Sequence, residues 1–356
     1  MMPEPPGDTG NTYRVRIATL AEDGPRIVEL WAANLGYAER RQAKFDWFYR
    51  NNPTGASTVF LLYHDSDRLI GTAGVGTRHM RCGSKNFDAG LLADFAVDAR
   101  YRTLFPAVTL QREVCRQALA GHGLLYGFPN RNALPVFKRA GFTMLGNLAR
   151  YTCLLCGQGL RRRILPGWLN GLAVSALESA FHLRHMLWRT LASRTLRWCW
   201  LEAPDSRFDQ LWAVQDDRLI MGLRDRGYLQ WRFFDKPWRR SRLFSICALT
   251  SDELLGYAVC EAEAETLHIR DCLVKPPAAG NLPQLLRALA CDAARLGFSR
   301  LSMESMVPAE LARALRRAGM RRRDPNSQAV VCFATAQVAE QLRGRDWYCT
   351  GADADE

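Results

Sequence analysis

The sequence has 356 residues, 48% of them hydrophobic and 24% charged, so it is long enough for two domains and its balance excludes wholesale disorder. Lysine and arginine outnumber the acidic residues by 48 to 36. The net charge of +12 is compatible with nucleic acid, an anionic membrane or an acidic small molecule as a partner. Only five of the basic residues are lysines. A chain with so many arginines is typical of a GC-rich coding bias. The positions of the charged residues therefore say more about possible partners than the net charge does.

The first residues, MMPEPPGDTGN, are acidic and rich in proline and glycine, without the basic and apolar regions of a secretory signal. We expect residues 1–12 to be disordered and the protein to be cytoplasmic. The chain has 11 cysteines at irregular spacing, which predicts reduced thiols. Cys153 and Cys156 have the spacing of a redox or zinc motif, but no second pair or nearby histidine completes a site. We interpret them as apolar residues at the end of a strand, and we predict no metal.

Three short segments recur in the same order along the chain, separated by 178 to 185 residues. The matched pairs are WFYRNNP at Trp47–Pro53 and WRFFDKP at Trp231–Pro237, DRLIGTAGV at Asp67–Val75 and DELLGYAVC at Asp252–Cys260, and KRAGF at Lys138–Phe142 and RRAGM at Arg316–Met320. Conserved order and nearly constant spacing indicate a tandem duplication of one α/β unit.

Both units have the same predicted elements in chain order: a helix, a hairpin, a further strand and a long amphipathic helix. In the first unit these are residues 25–34, 58–63 with 69–76, 91–97 and 107–120. In the second unit they are residues 207–214, 243–249 with 254–260, 266–274 and 282–296. Gly121 and Gly297 follow the long helices, as left-handed caps would. A strand, a short helix and an Ala-Gly turn close each unit.

This order of elements resembles the GNAT (GCN5-related N-acetyltransferase) family, once in each half of the chain. The most specific segments are LLADFAVDARYRTLFPAVTLQREV and LLYGFPNRNALPVFKRAGFTMLG in the first unit. The resemblance implies an α/β fold with two GNAT-like mixed-sheet domains in tandem, joined by a basic amphipathic helical linker. We predict an acyltransferase domain at 13–155, the linker at 156–205, a degenerate second domain at 206–340 and a tail at 341–356.

The resemblance also implies that acyl-CoA, acetyl-CoA in the first instance, is the co-substrate. In the family, backbone N–H groups and a helix N-terminus hold the pyrophosphate after the strand that corresponds to residues 91–97. The positions that match its cofactor segment are Phe95, Val97, Arg100, Arg102, Thr103, Leu104, Phe105, Ala107, Asn130 and Asn132. Two glycines of the family are replaced by Thr103 and Phe105, and Pro106 has no N–H to donate. The matching turn of the second unit, residues 274–281, keeps one glycine and lacks the arginines, so we expect a structural copy there.

Acyl transfer to an amine needs a base for the amine and a polarised thioester carbonyl. Asp94 interrupts an otherwise apolar strand, where burial should raise its carboxyl pKa, and it is the candidate base. A structural aspartate bonded to backbone or arginine is the alternative, and the matching Asp271 in the second unit favours it. The proton-donating tyrosine of the family is replaced by Phe137. Tyr126 in the next strand is the candidate for that role, with simple packing as the alternative.

The segment between the units, residues 156–200, has seven arginines and one acidic residue, which is half of the net charge. From Leu169 its pattern is that of an amphipathic helix. The apolar stripe contains Leu169, Leu172, Ala176, Ala180, Leu183, Leu187 and Leu191, and the opposite face contains Ser175, Glu178, His182, His185 and Arg189. Two interpretations stay open: a linker helix that packs onto the two domains, and a helix that lies on an anionic membrane surface, with the contact made through residues 161–200.

Taken together, these features predict an N-acyltransferase that moves an acyl group from acyl-CoA to the amine of a small molecule or an envelope precursor. One alternative is a catalytically silent GNAT-like scaffold at the cytoplasmic membrane face. Another is a transferase of aminoacyl groups from tRNA, like the tandem Fem-type proteins. The basic charge is not accompanied by any nucleic-acid-binding motif, so we expect no nucleic-acid partner.

Overall fold

A computed structural model describes residues 13–65, 68–156, 168–215, 218–238, 240–323 and 327–355. For residues 168–175, 177 and 327 it describes the backbone alone. The predictions made for residues 1–12 and for the arginines at 161–163 lie outside this part of the chain.

The elements follow the order that the repeat predicts. The first unit contains β1 Tyr13–Ile17, α1 Leu20–Asn34, α2 Arg41–Lys44, β2 Thr58–His64, β3 Arg68–Cys82, β4 Lys85–Val97, α3 Leu104–Ala118, β5 Leu124–Gly127, α4 Leu134–Arg139 and β6 Thr143–Leu154. The linker contains α5 Trp168–Ala192. The second unit contains β7 Leu196–Leu201, α6 Ser206–Ala213, β8 Leu219–Gly222, α7 Arg226–Leu229, β9 Arg242–Ala248, β10 Leu254–Glu263, β11 Thr266–Val274, α8 Ala278–Arg295, β12 Arg300–Ser305, α9 Ala309–Arg317, β13 Arg321–Arg322, β14 Ser327–Phe333, α10 Ala336–Leu342 and β15 Asp346–Trp347.

The two long helices end differently. Gly297 follows α8 with φ of +88°, which confirms the predicted left-handed cap. Gly121 is not left-handed, so the same prediction for α3 is wrong. The end of α3 closes with tight turns instead, in which Ala120 N donates to Gln117 O and Gly121 N to Ala118 O. Such i to i+3 bonds satisfy the last carbonyls without a residue of positive φ.

The main sheet has a palindromic strand order. It runs β1-β2-β3-β4-β5-β14-β6-β12-β11-β10-β9-β7. Each strand of the first unit thus has its counterpart at the mirrored place of the second unit. The central pair, β14 and β6, holds the last long strand of each unit, and these two strands are antiparallel.

The last long strand of each unit pairs with a strand of the other unit. β6 pairs with β12 of the second unit, and β14 pairs with β5 of the first unit. One large cluster of buried apolar side chains consequently spans both units, from Ile27 in α1 to Ala352, while the residues under α3 of the first unit form separate clusters. The duplication is therefore one packed structure whose halves complete each other's sheets.

The repeated tryptophans meet at the centre of this arrangement. Trp47 and Trp231 stack with ring centroids 4.8 Å apart, and both lie in short π-helical segments. The Nε1 of Trp47 donates to the carbonyl of Trp231 at 2.9 Å, and the Nε1 of Trp231 donates to the carbonyl of Trp47 at 3.2 Å. Equivalent residues that contact each other reciprocally mark the approximate twofold axis of the tandem.

Among the helices that the structure describes, none has the length and apolar character needed to cross a membrane.

Candidate active site

A cavity of about 230 Å³ opens in the first unit where β4 and β5 separate. The pairing of these parallel strands covers Ala89–Leu91 of β4 and ends there. Beyond that point, Leu92–Phe95 on one side and Gly127–Asn130 on the other line the cavity. Backbone groups at such a divergence of parallel strands are released from the sheet ladder and are available to a ligand.

Asp94 lies on the wall of this cavity, in a local irregularity of the sheet. Its φ is +45°, and the register between β3 and β4 shifts at this point. The side chain is buried and receives hydrogen bonds on both oxygens, from Lys44 Nζ at 2.9 Å on Oδ1 and from Tyr49 Oη at 2.8 Å on Oδ2. Arg41 lies 3.6 Å from Oδ1. A non-glycine residue at positive φ is strained, and such strain is common at functional sites.

Burial raises the pKa of Asp94, as the apolar strand predicts, although the charge of Lys44 opposes the change. The nearby negative charge of Asp355 raises it further. The sequence-based expectation of a raised pKa is thereby confirmed in direction, and its principal cause is the loss of solvent.

Asp355 is a second carboxylate on the same cavity. It accepts a hydrogen bond from Lys44 Nζ at 3.2 Å, and one third of its side chain is exposed. Burial acts to raise the pKa of Asp355, but the charge and hydrogen bond of Lys44, with the charge of Arg232, lower it overall. Lys44 therefore bridges two carboxylates, Asp94 and Asp355, whose pKa values are displaced in opposite directions.

Gln111 on α3 also lines the cavity. Its side chain is buried, and its Oε1 accepts no hydrogen bond from any described residue. A buried acceptor without a donor costs about 1–3 kcal/mol. Such an atom at the wall of a cavity is suited to receive an N–H or O–H from a ligand or water.

The predicted cofactor loop lies beside this cavity. Arg100 forms an ion pair with Asp98, and Arg102 donates to the carbonyl of Val97 and to Oδ1 of Asn34. Asn130 lines the cavity and accepts from the backbone N–H groups of Asn132 and Ala133. Both arginines therefore shape the loop through contacts with the protein.

At the start of α3, Thr103 precedes the helix without a side-chain cap, and Leu104 follows as its first residue. Phe105 is exposed, and its ring lies 5.7 Å from that of Tyr13. Its side chain thus contacts β1. Ala107 is buried. Phe95 and Phe137 line the cavity, and Val97 is buried beside it.

Several crystal structures are similar to this chain. A GCN5-related N-acetyltransferase from Anabaena variabilis has a TM-score of 0.64 at 14% identity, over 93% of this chain and 75% of its own. A probable N-acyltransferase from Enterococcus faecalis has a TM-score of 0.63 at 11% identity, over 92% and 74%. A tandem GNAT protein from the clavulanic acid biosynthesis pathway has a TM-score of 0.51 at 11% identity, over 91% and 99%.

The chain has a tandem GNAT fold. This confirms the predicted α/β fold class of GNAT-like mixed-sheet units in tandem. Protein-family models and curated protein sequences gave no match to the chain.

Within this GNAT fold, Tyr126 does not reach the cavity. It is fully buried, and its hydroxyl donates to the carbonyl of Asp353 at 3.2 Å. Side chains alternate along a strand, and Leu125 on the other face of β5 packs towards α3. The placement corrects the expectation that Tyr126 is near the thioester and agrees with the packing alternative.

The GNAT-like second unit has its own cavity of about 610 Å³, lined by Cys272–Val274, Pro276–Ala278 and the start of α9. Asp271 does not line it. The Asp271 carboxylate is completely buried, with Arg224 Nε at 3.0 Å, Tyr257 Oη at 2.7 Å and Thr350 Oγ1 at 2.6 Å. Here the alternative of a structural aspartate bonded to arginine is what the structure shows.

Sequence reasoning missed Lys44, Tyr49, Gln111 and Asp355 as members of the site. One signal was present: lysine is rare in this chain, and Lys44 is followed at once by the aromatic-rich segment Phe45–Arg50. A buried lysine among aromatic residues requires a carboxylate partner. In the part of the chain that the structure describes, no cluster of His, Cys, Asp or Glu side chains is arranged to hold a metal ion.

Proposed function

We propose that the first unit transfers an acyl group from acyl-CoA to the amine of a small molecule or an envelope precursor. The observation that carries this proposal is the pair Asp94 and Asp355, joined by Lys44 on one cavity at the diverging strands of a GNAT fold. Titratable groups whose environments displace their pKa values in opposite directions are typical of acid–base sites. Bound acyl-CoA would supply a thioester as the acyl donor.

The two carboxylates have different roles in this proposal. Asp355 has a lowered pKa and stays negatively charged, so it attracts the ammonium form of the acceptor amine. Asp94 has a raised pKa and accepts the proton that the amine loses when it attacks the thioester. Each of its oxygens is occupied by one donor, and a carboxylate has lone pairs for further donors. Lys44 and Tyr49 position Asp94 and do not themselves contact the acceptor.

The remaining chemistry uses groups beside the cavity. The N–H groups of β4 beyond Leu91 lie where pairing with β5 has ended, and they are suited to polarise the thioester carbonyl. Gln111 Oε1 is an acceptor suited to an amide N–H, such as those in the pantetheine arm of CoA. Because a thiol has a pKa of about 8.5, the leaving group departs as a thiolate without a strong acid nearby.

The first experiment is calorimetric titration of the full chain with acetyl-CoA, followed by a transfer assay on a panel of amines. Gln111→Leu should weaken acetyl-CoA binding by roughly threefold to tenfold, the effect of one neutral hydrogen bond. Arg102→Ala should weaken it as well, because Arg102 shapes the loop. Absence of acetyl-CoA binding at millimolar concentration would overturn the proposal and favour a catalytically silent scaffold. Binding with no transfer to any amine would likewise favour the silent scaffold, since a Fem-type transferase takes its aminoacyl group from tRNA and not from CoA.

A further inference from the structure

The C-terminal half of the linker helix α5 turns an apolar face away from the protein. Four apolar side chains on this face are between 51% and 64% exposed: Leu183, Met186, Leu187 and Leu191. They follow one another at the spacing of a single helix face. We call these four residues the exposed stripe.

The opposite face of α5 attaches the helix to the second unit and to Leu155 at the end of the first unit. His185 lies 3.2 Å from Cys291 Sγ and 3.3 Å from the carbonyl of Leu155, and Arg189 lies 3.7 Å from Asp292. Trp188 packs against Trp198 with ring centroids 5.7 Å apart. The helix thus packs on the protein through its more polar face, and the leucines and Met186 are left outside.

A pocket of about 310 Å³ lies beside α5, where the helix meets α8 and the end of α9. Three arginines line it, Arg184, Arg287 and Arg317, and the described residues that line it include no acidic side chain. We call these three residues the basic pocket. Arg287 donates to the carbonyl of Arg317 at 2.8 Å, which holds two of the three together. Arginines that line one pocket are suited to bind a phosphate group through charge and hydrogen bonds.

The stripe and the pocket are neighbours, because Arg184 belongs to the pocket and follows Leu183 of the stripe. We propose that α5 and the basic pocket form a docking surface for an anionic lipid bilayer. The exposed stripe enters the boundary between headgroups and acyl chains, and the basic pocket holds the phosphate of an anionic phospholipid. An amphipathic helix with leucines on one side and arginines at its border is the usual form of such a surface. The three arginines of the basic pocket give this surface a positive charge that is complementary to anionic lipid.

The test is flotation of the full chain with phosphatidylcholine vesicles, with and without phosphatidylglycerol. The protein should float with the phosphatidylglycerol vesicles at low salt. Flotation should weaken as salt rises, because the Debye length falls from about 10 Å at 0.1 M to about 3 Å at 1 M. Equal flotation with pure phosphatidylcholine, or none with either, would overturn the proposal.

Two variants separate the parts of the surface. Arg184→Gln with Arg287→Gln and Arg317→Gln should reduce the affinity for phosphatidylglycerol vesicles on the order of a hundredfold, at about fivefold for each charge. Leu183→Ser with Leu187→Ser should reduce it about tenfold or more, through the loss of apolar burial. The matched control is Arg112→Gln with Arg131→Gln and Arg139→Gln, which removes the same charge from exposed positions of the first unit. An equal loss in the control would show that total charge alone is responsible and would overturn the assignment.

Two further outcomes would replace the bilayer with another occupant. Light scattering should show no dimer that depends on Leu183 and Leu187. If such a dimer formed and the protein did not float, the partner of the exposed stripe would be a second copy of the chain. Binding of inorganic phosphate is measured as well. If the protein bound phosphate but floated with neither kind of vesicle, a free anion and not a lipid would be the ligand. Circular dichroism melting of each variant should match the unmodified chain, because all five substituted side chains lie on the surface of the helices or beside the pocket.

Discussion

Asp94 and Asp271 stand at the same position in two copies of one strand, three residues before a valine that pairs with a glycine of the neighbouring strand. Asp94 lines a cavity and is held by Lys44 and Tyr49. Asp271 is sealed from solvent and paired with Arg224, which also pairs with Asp353. The Asp94 carboxylate therefore borders a cavity that can hold a ligand, whereas the Asp271 carboxylate is enclosed in the protein interior.

This difference shows how one duplicated residue can serve two purposes. Arg224 and the neighbouring Arg78 together balance the two buried carboxylates, Asp271 and Asp353, so this group of charges is complete within the protein. A lysine shared between a buried and a partly exposed aspartate leaves the exposed one able to receive a cation. The second unit has the larger cavity, yet its aspartate is committed to structure. The larger cavity therefore does not belong to the unit that we propose to be reactive.

The strongest test of this comparison is Asp94→Asn. Transfer measured as kcat/KM should fall about 10²–10⁴-fold, because the amine loses its general base. Asp88→Asn is the matched control, since it makes the same change on β4 at an exposed aspartate that contacts His79. Comparable activity of the Asp94 and Asp88 variants would mean that Asp94 is structural, as Asp271 is.

Removal of Arg224 tests the structural half. Arg224→Met should lower the free energy of unfolding by about 3–5 kcal/mol, because Asp271 is left buried without a cation and Asp353 keeps only Arg78. Lys44→Met should cost less, since Asp94 takes up a proton readily and Asp355 is partly exposed. Urea unfolding of both variants measures the difference. A larger loss of unfolding free energy in Lys44→Met than in Arg224→Met would show that Lys44 contributes more to stability than Arg224, which would contradict this comparison.

The pH profile of transfer reports on the charges around Asp94. The rate should rise with pH as Asp94 loses its proton. Because the pKa of Asp94 is raised, this rise should occur at a higher pH than for an ordinary aspartate. Asp355→Asn removes a negative neighbour, so it lowers the pKa of Asp94 and moves the acidic limb to lower pH. Lys44→Met removes a positive neighbour and moves the limb to higher pH. Shifts of both variants in one direction would contradict the shared-lysine arrangement.

The smallest expected effect concerns the contact between the halves. A double-mutant cycle of Trp47→Phe and Trp231→Phe, followed by thermal or urea unfolding, should give a coupling energy of about 0.5–1.5 kcal/mol. The reason is that each indole stacks on the other and donates to the other's carbonyl. Strictly additive variants would show that the two units do not depend on each other at this contact.

The repeat, the order of helices and hairpins and the unusual position of Asp94 were all readable from the sequence. Hydrophobic periodicity and turn residues act over a few residues, and the same signals occur twice at a nearly constant separation. The raised pKa of Asp94 also followed from its apolar neighbours in the strand. The sequence did not show that the exposed stripe of α5 points outward. An amphipathic pattern shows that two faces of a helix differ, without showing which face packs on the protein.

The sequence by itself determined that two copies of one α/β unit are present and that Asp94 would be buried. Tertiary structure alone decided that β6 and β14 are exchanged between the copies, since both strands fit either sheet by local pattern. It also brought Lys44 and Asp355 to Asp94, and Arg224 to Asp271, across separations in the chain of 47 to 311 residues. Contacts at such distances depend on the packing of the whole molecule, and no short segment of the chain encodes them.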